Sequence, residues 1–477
     1  MEKELNYEKQ FIKGNYDVLR EIDLKTLMTG KTINSESLVS LYYLIWSYEN
    51  SGFINTACKI LDKFETSINK FDITNDNISI LIFIILKVSL LNKKGDFTEA
   101  KQYLPIFGEY IEDLAIENEL LIHKFIAIYY FTFGQTYHLS GNYSQALNFY
   151  QKALTIVNNN ERLFQISADI YNQIGEIFFM KGEYLYANNY YQIALTLSEE
   201  ICNNHNKIKV LLNILELNLY LENFDESKNL LETIFTIKHL ITDPIVLYKL
   251  LFINYQYDLT FNSQNLSTLE NNFNSFKKNI QSIPCEDYTI LNMVLNIGYA
   301  MYLNKKNKVT DILKAKVILE NMLSEKSLIN HKFKIAVIKL LCEIYLKEIK
   351  YLKKVNSYSN FQKLINELLQ IAKINHFHPL FIETLLIQAR EEILFDENNN
   401  LLKIETYLTL ANIISQEKNL KMLSSKVLSE EKNFKDQITR WKALLPTNYD
   451  VVNLTSLEQD KNFHELKKML LIQKPVL

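Results

Sequence analysis

Glycines recur in register along this chain, and their spacing limits what it can fold into more than any other feature. Gly52, Gly95, Gly141 and Gly182 each stand five residues before a small residue: Ala57, Ala100, Ala146 and Ala187. An aromatic usually lies between, as in Gly95-Asp96-Phe97, Gly141-Asn142-Tyr143 and Gly182-Glu183-Tyr184. Glu222-Asn223-Phe224-Asp225-Glu226-Ser227 keeps the pattern with the glycine lost, so the small residue returns every 40 to 46 residues. A period of that length marks a solenoid of stacked helix pairs. Gly14-Asn15-Tyr16 reads as the same turn once more, so the array is expected to begin with a half repeat.

The register is informative because glycine is rare. The chain of 477 residues holds only 10 glycines and 6 prolines, about a third of average usage. Sheets and long loops need more turn residues than this. Each glycine should therefore mark a place where a side chain cannot be accommodated. Gly134 and Gly175 each lie twelve residues before their repeat's alanine, with Tyr137 and Phe178 three residues further on. A small residue on one helix lets its partner approach closely while an aromatic fills the space beside it.

These residues carry a resemblance. Tyr130, Gly134, Tyr137, Ala146, Tyr150 and Ala153 resemble the tetratricopeptide-repeat signature at its usual mutual spacing, and Tyr171, Gly175, Phe178, Ala187, Tyr191 and Ala194 match it again in the next unit. The resemblance implies an all-α, right-handed superhelical solenoid of antiparallel helix pairs. It departs from the family in its longer period and in Asn158, which stands where the second helix usually ends in proline. In this it is similar to the extended repeats of bacterial sensor regulators and archaeal repeat proteins.

The expected organisation is an N-terminal half repeat over 1–37, well-matched repeats over 38–240 and degenerate helix pairs over 241–416, then a capping helix over 417–446 and a tail over 447–477. Ala315, preceded by Gly298, keeps the small-residue spacing two periods beyond Ser227. Lys332 to Lys373 and Pro379 to Gln416 read as long apolar-periodic helices, with an Asn-rich turn, Asp396 to Asn400, in the second. Leu420 to Leu445 supplies the last amphipathic helix, which covers an apolar face that has no successor.

Charge and motif content narrow the function. The net charge is −3, from 52 basic and 55 acidic residues spread without the Lys/Arg clustering that a phosphate-binding surface needs, so nucleic acid is not an expected partner. The most apolar run, Ile78 to Leu91, contains Lys87 and is shorter than the roughly 20 residues of a membrane span, which makes it a buried helix. Met1-Glu2-Lys3-Glu4 is charged and opens no secretory signal, so a cytoplasmic location is expected. Cys58, Cys202, Cys285 and Cys342 lie far apart and read as buried free thiols, without metal-ligand spacing. No Gly-rich phosphate loop, nucleophile elbow or His-Glu-x-x-His occurs. His376 and His378 have the wrong spacing for one helical face and read as a loop pair. Adjacent acids such as Glu199-Glu200 and Glu391-Glu392 point about 100° apart on a helix and do not converge. Neither an enzyme nor a cofactor or metal site is indicated.

A scaffold that binds another protein or peptide remains, with a ligand-sensing solenoid that changes shape on binding as the alternative. If Gly134 and Tyr137 face the partner helix, the opposite face carries Gln135 and His138. The same offset gives Asp169, Asn172, Gln173 and Glu176 in the next repeat, and Lys209, Asn213, Glu216 and Tyr220 in the following one. Amides on this concave face suit an extended peptide backbone, and acids suit a basic ligand. The two-lysine, two-asparagine clamp that some members use for a C-terminal carboxylate is not matched. Gln135, Glu176 and Glu216 are equivalent positions and should be neighbours along one groove. Charge reversal at the two acids, read as surface sites, is expected to leave folding intact.

Overall fold

The computed structural model describes residues 6–7, 9–10, 16–22, 35–68, 77–105, 120–158, 164–261, 265–324, 330–352, 358–395 and 401–444. They form helices and turns, with no strand among the described residues. The chain divides into two compact units, Met1–Phe377 and His378–Leu477.

In the first unit a short helix α1 (Tyr16–Arg20) is followed by α2 (Ser35–Glu49), α3 (Ile54–Ile68), α4 (Asn77–Lys94), α5 (Phe97–Gln102), α6 (Leu120–Leu139) and α7 (Tyr143–Asn158). Then come α8 (Phe164–Lys181), α9 (Tyr184–Glu200), α10 (Asn204–Tyr220), α11 (Phe224–Thr236), α12 (Pro244–Phe261) and α13 (Leu266–Gln281). The unit continues through α14 (Thr289–Lys306), α15 (Val309–Ser324), α16 (His331–Leu352) and α17 (Tyr358–Asn375). The second unit holds α18 (His378–Phe395), α19 (Leu401–Glu417) and α20 (Lys421–Leu444). Consecutive helices pack on one another throughout each unit, as expected for an all-α solenoid of helix pairs.

The two helices of a pair differ in their apolar pattern. On α6, Phe125, Ile126, Ala127, Ile128 and Tyr129 are all buried, so apolar residues run round the whole helix. On α7 the buried set is Tyr143, Ala146, Phe149, Tyr150, Ala153, Leu154 and Val157, a single stripe at three- and four-residue steps. A helix apolar all round needs neighbours on every side, and a striped one needs them on one side only. The first helix of the pair is therefore the inner layer and the second the outer. The membrane-like run in α4 has this explanation too: Leu81, Ile82, Ile84, Ile85, Leu86 and Val88 are buried within the protein. Among the described residues no helix is long and apolar enough to cross a membrane.

The hairpin turns explain the glycine register. At the end of α6 the Gly141 amide donates to His138 O at 3.0 Å and the Asn142 amide to Tyr137 O at 2.8 Å. This doubled closure of the helix end requires the residue at Gly141 to be left-handed, and its φ is +87°. Gly52, Gly95 and Gly182 repeat the conformation, and Glu222 adopts it without glycine at φ 59°. The small residue five positions on is fully buried each time: Ala57, Ala100, Ala146, Ala187 and Ser227 are all 0% exposed.

Gly134 and Gly175 serve packing. A Cβ on Gly134 would lie 2.5 Å from Tyr150 Cε1, and one on Gly175 would lie 2.6 Å from Tyr191 Cε1. Gly298 also lies in a close contact, but against Phe276 of α13, the helix before its own. The cysteines also need a correction. Cys342 is buried and Cys58 and Cys285 are half-buried, but Cys202 is exposed, because it occupies a left-handed turn between α9 and α10. Gly14, the Asp396 to Asn400 turn and the 447–477 tail lie outside the described residues.

Candidate partner-binding row

The inner helices α8, α10 and α12 stand side by side, and polar side chains on them touch. Asn213 Nδ2 donates to Asn172 Oδ1 at 2.7 Å, and Lys249 Nζ donates to Asn213 Oδ1. Both asparagines are buried, at 4% exposed, so each amide group has to find its partner inside the protein. One helical turn further along are Glu176 and Glu216, with the side chain of Glu176 17% exposed and that of Glu216 27% exposed. One turn in the other direction, Asp169 accepts from Asn206 Nδ2 at 2.8 Å. Of the ten predicted site residues the structure brings together Asn172 with Asn213, and Glu176 with Glu216 about a shared lysine, while Asp169 pairs with Asn206 outside the set.

The acid pair already holds a cation from much later in the chain. Lys332, in the first turn of α16, places its Nζ 3.0 Å from Glu176 Oε1, 2.9 Å from Glu216 Oε1 and 3.1 Å from Glu216 Oε2. Lys249 Nζ lies 3.3 Å from Glu216 Oε2. Burial pushes both carboxyls up, but the ammonium groups of Lys332 and Lys249 outweigh it and hold both below the usual carboxylate range. Burial lowers Lys332, and the two glutamates more than reverse that. Both acids are thus charged near neutral pH, which suits them to cation binding and not to proton donation. The residues on either side of Lys332 also reach earlier helices. His331 Nδ1 shares a hydrogen bond of 3.1 Å with the Tyr143 hydroxyl, and Phe333 lies 6.2 Å from Tyr248 between ring centroids.

The other predicted residues have quieter places. His138 is buried, with its ring 5.3 Å from Tyr143 and its Nδ1 3.3 Å from the Tyr150 hydroxyl, and Gln173 hydrogen-bonds to it. Burial pushes the His138 imidazole down. Tyr220 packs on Phe179 and Tyr184 at 5.6 and 5.3 Å, between hairpins. Gln135 and Lys209 are half-buried. The expectation that Glu176 and Glu216 are surface sites where charge reversal leaves folding intact is corrected: two lysines there would face Lys332 and Lys249 in a confined space. Sequence reasoning missed Lys249, Lys332, His331 and Tyr143. Lys249 breaks the repeat offset, and Lys332 follows Glu216 by 116 residues, so local spacing carries no trace of either.

Among the described residues no group of three or more His, Cys, Asp or Glu side chains is placed to hold a metal ion. Residues 127–160 match the family model described as Tetratricopeptide repeat. That match covers all of α7 and the greater part of α6, including the Gly134–Tyr150 contact and the Gly141 turn. With the all-helical pairing on both sides of it, the fold is an all-α solenoid of the tetratricopeptide-repeat type. Tetratricopeptide repeats in general serve protein interaction. No curated protein matches the chain.

Proposed function

We propose that this chain is a protein-interaction scaffold that receives a segment of another protein along the inner face of α6, α8, α10 and α12, in repeats of about forty residues. The observation that supports this is the row itself: Asn172 bonds Asn213 across neighbouring inner helices, and Glu176 and Glu216, at one offset from their turns, share Lys332. The amides hold the inner helices together, and the partly exposed acids beside them suit a basic side chain of a partner. The predicted set of Gln135, His138, Asp169, Asn172, Gln173, Glu176, Lys209, Asn213, Glu216 and Tyr220 belongs to this proposal. A second reading, a ligand-sensing solenoid, draws on one contact. His331, Lys332 and Phe333 cross the row, so a ligand that replaced them would change how the later pairs meet the earlier ones.

A photo-crosslinking amino acid placed at Gln135 or Lys209, which avoid the ion cluster, tests the reading in the native cell. Crosslinks to another protein are expected from both positions, and none from the exposed outer position Glu232. Crosslinks from Glu232 with none from the two inner positions would overturn it.

A further inference from the structure

Three consecutive side chains at the start of α16 each have their own receiver on earlier helices of the same unit. His331 packs on Gly141 and Tyr143, Lys332 sits between Glu176 and Glu216, and Phe333 faces Tyr248. We propose that the Glu176–Glu216 pair is a receptor for a lysine ammonium group, that Lys332 fills it as an internal ligand, and that the partner segment carries a lysine between two rings and displaces Lys332. This rests on the scaffold reading above and names the chemistry of its partner.

The coordination selects the ligand. Three oxygens of two carboxylates lie 2.9 to 3.1 Å from one nitrogen, so an ammonium group, with donors pointing in several directions, bonds both carboxylates at once. The two carboxylates reach that nitrogen from different helices, so a compact ammonium group bridges both, whereas a guanidinium fork laid along the Glu216 edge would meet Glu176 less well. The receptor also has support of its own, because the bond between Asn172 and Asn213 joins the two helices one turn away and Lys249 braces Glu216 from α12. Exchange of one ammonium group for another keeps both carboxylates paired, whereas a neutral or acidic segment would leave Glu176 without a counter-charge and Glu216 with Lys249 alone. Lys332 is open to exchange: its side chain is 35% exposed, more than either glutamate.

The probe is a fluorescent synthetic peptide spanning residues 328–341, added to the full chain. Lys332→Ala empties the receptor and is expected to bind the peptide at least tenfold more tightly than the unchanged chain. A peptide with Lys332→Gln should lose that gain, and one with Lys332→Arg should recover only part of it. Equal binding by the two chains, or equal binding of the lysine and glutamine peptides, overturns the proposal. A readout on the unchanged chain covers the case in which Lys332→Ala does not fold. Acylation of Lys332, followed by mass spectrometry, should quicken at least threefold when excess peptide is added, and an unchanged rate also overturns the proposal. Crosslinks from Gln135 and Lys209 with failed peptide arms would leave the scaffold standing and remove the lysine receptor. Lysine-dependent peptide binding without protein crosslinks would do the reverse.

Discussion

Gly175 and Glu222 show opposite relations between a residue and its place. Gly175 lies in the interior of α8, where alanine is favoured by up to about 1 kcal/mol on helix propensity alone. A methyl group there meets the Tyr191 ring at 2.6 Å, and Tyr191 is only 1% exposed, so the ring has little room to yield. Overpacking of this kind typically costs about 1 to 3 kcal/mol, so Gly175→Ala is expected to destabilise. A rise in melting temperature would mean that propensity wins and the contact is soft. Glu222 is exposed and left-handed, at φ 59°, in the turn that elsewhere takes glycine. Left-handed backbone costs a residue with a Cβ roughly 1 to 2 kcal/mol, part of which glycine returns as unfolded-state entropy. Glu222→Gly is therefore expected to stabilise by about 0.5 to 1 kcal/mol in chemical denaturation, and a loss of stability would count against the turn argument.

At the scale of the element, burial on all sides forces each inner helix to satisfy its polar groups against the next inner helix. Asn172 on α8, Asn213 on α10 and Lys249 on α12 form one such ladder. Asn213→Ala leaves the Asn172 amide buried without its partner, and a buried group stranded in this way costs about 1 to 3 kcal/mol. Once Asn213 is gone, removal of Asn172 as well has less left to break. The double variant Asn172→Ala/Asn213→Ala is thus expected to cost less than the sum of the single changes. Strict additivity in a double-mutant cycle would show that the two side chains act independently. The same ladder keeps α8 and α10 in register, which is what brings Glu176 and Glu216 to a common cation.

For the first unit as a whole, distant parts of the chain meet. Gly52 O accepts from the Glu286 amide at 3.1 Å, and Gly141 lies against His331. The second of these contacts is sensitive to acid. Burial, and then the charge of Lys334, push the His331 imidazole down to about 4, against an ordinary value of about 6.5. Between those values the unfolded chain binds a proton that the native chain refuses, so the contribution of His331 falls as pH drops from about 6.5 to 4. Glu176 and Glu216 act in the same direction, since their lowered carboxyls add stability above the ordinary carboxylate range and lose it on further acidification. His331→Gln removes the imidazole titration alone. It should melt below the unchanged chain at pH 7.5, with the difference closing by pH 5. A gap that stays constant with pH would mean that His331 contributes through packing only.

The hairpins were legible from residue order, because what makes them lies within about twenty residues. The left-handed turn at Gly141, the small residue at Ala146 and the ring of Tyr150 over Gly134 are all set by local geometry that repeats with the period. The row of acids was legible for the same reason, as Glu176 and Glu216 hold one offset from their turns. Gly298 marks where that reading weakened: it keeps a glycine in the array but packs on Phe276 of the preceding helix. The pairing of Lys332 with the acids was decided by tertiary structure alone. Small rotations from one helix pair to the next accumulate along a solenoid, and only their sum brings the start of α16 onto α8 and α10. No spacing within a single repeat encodes that sum.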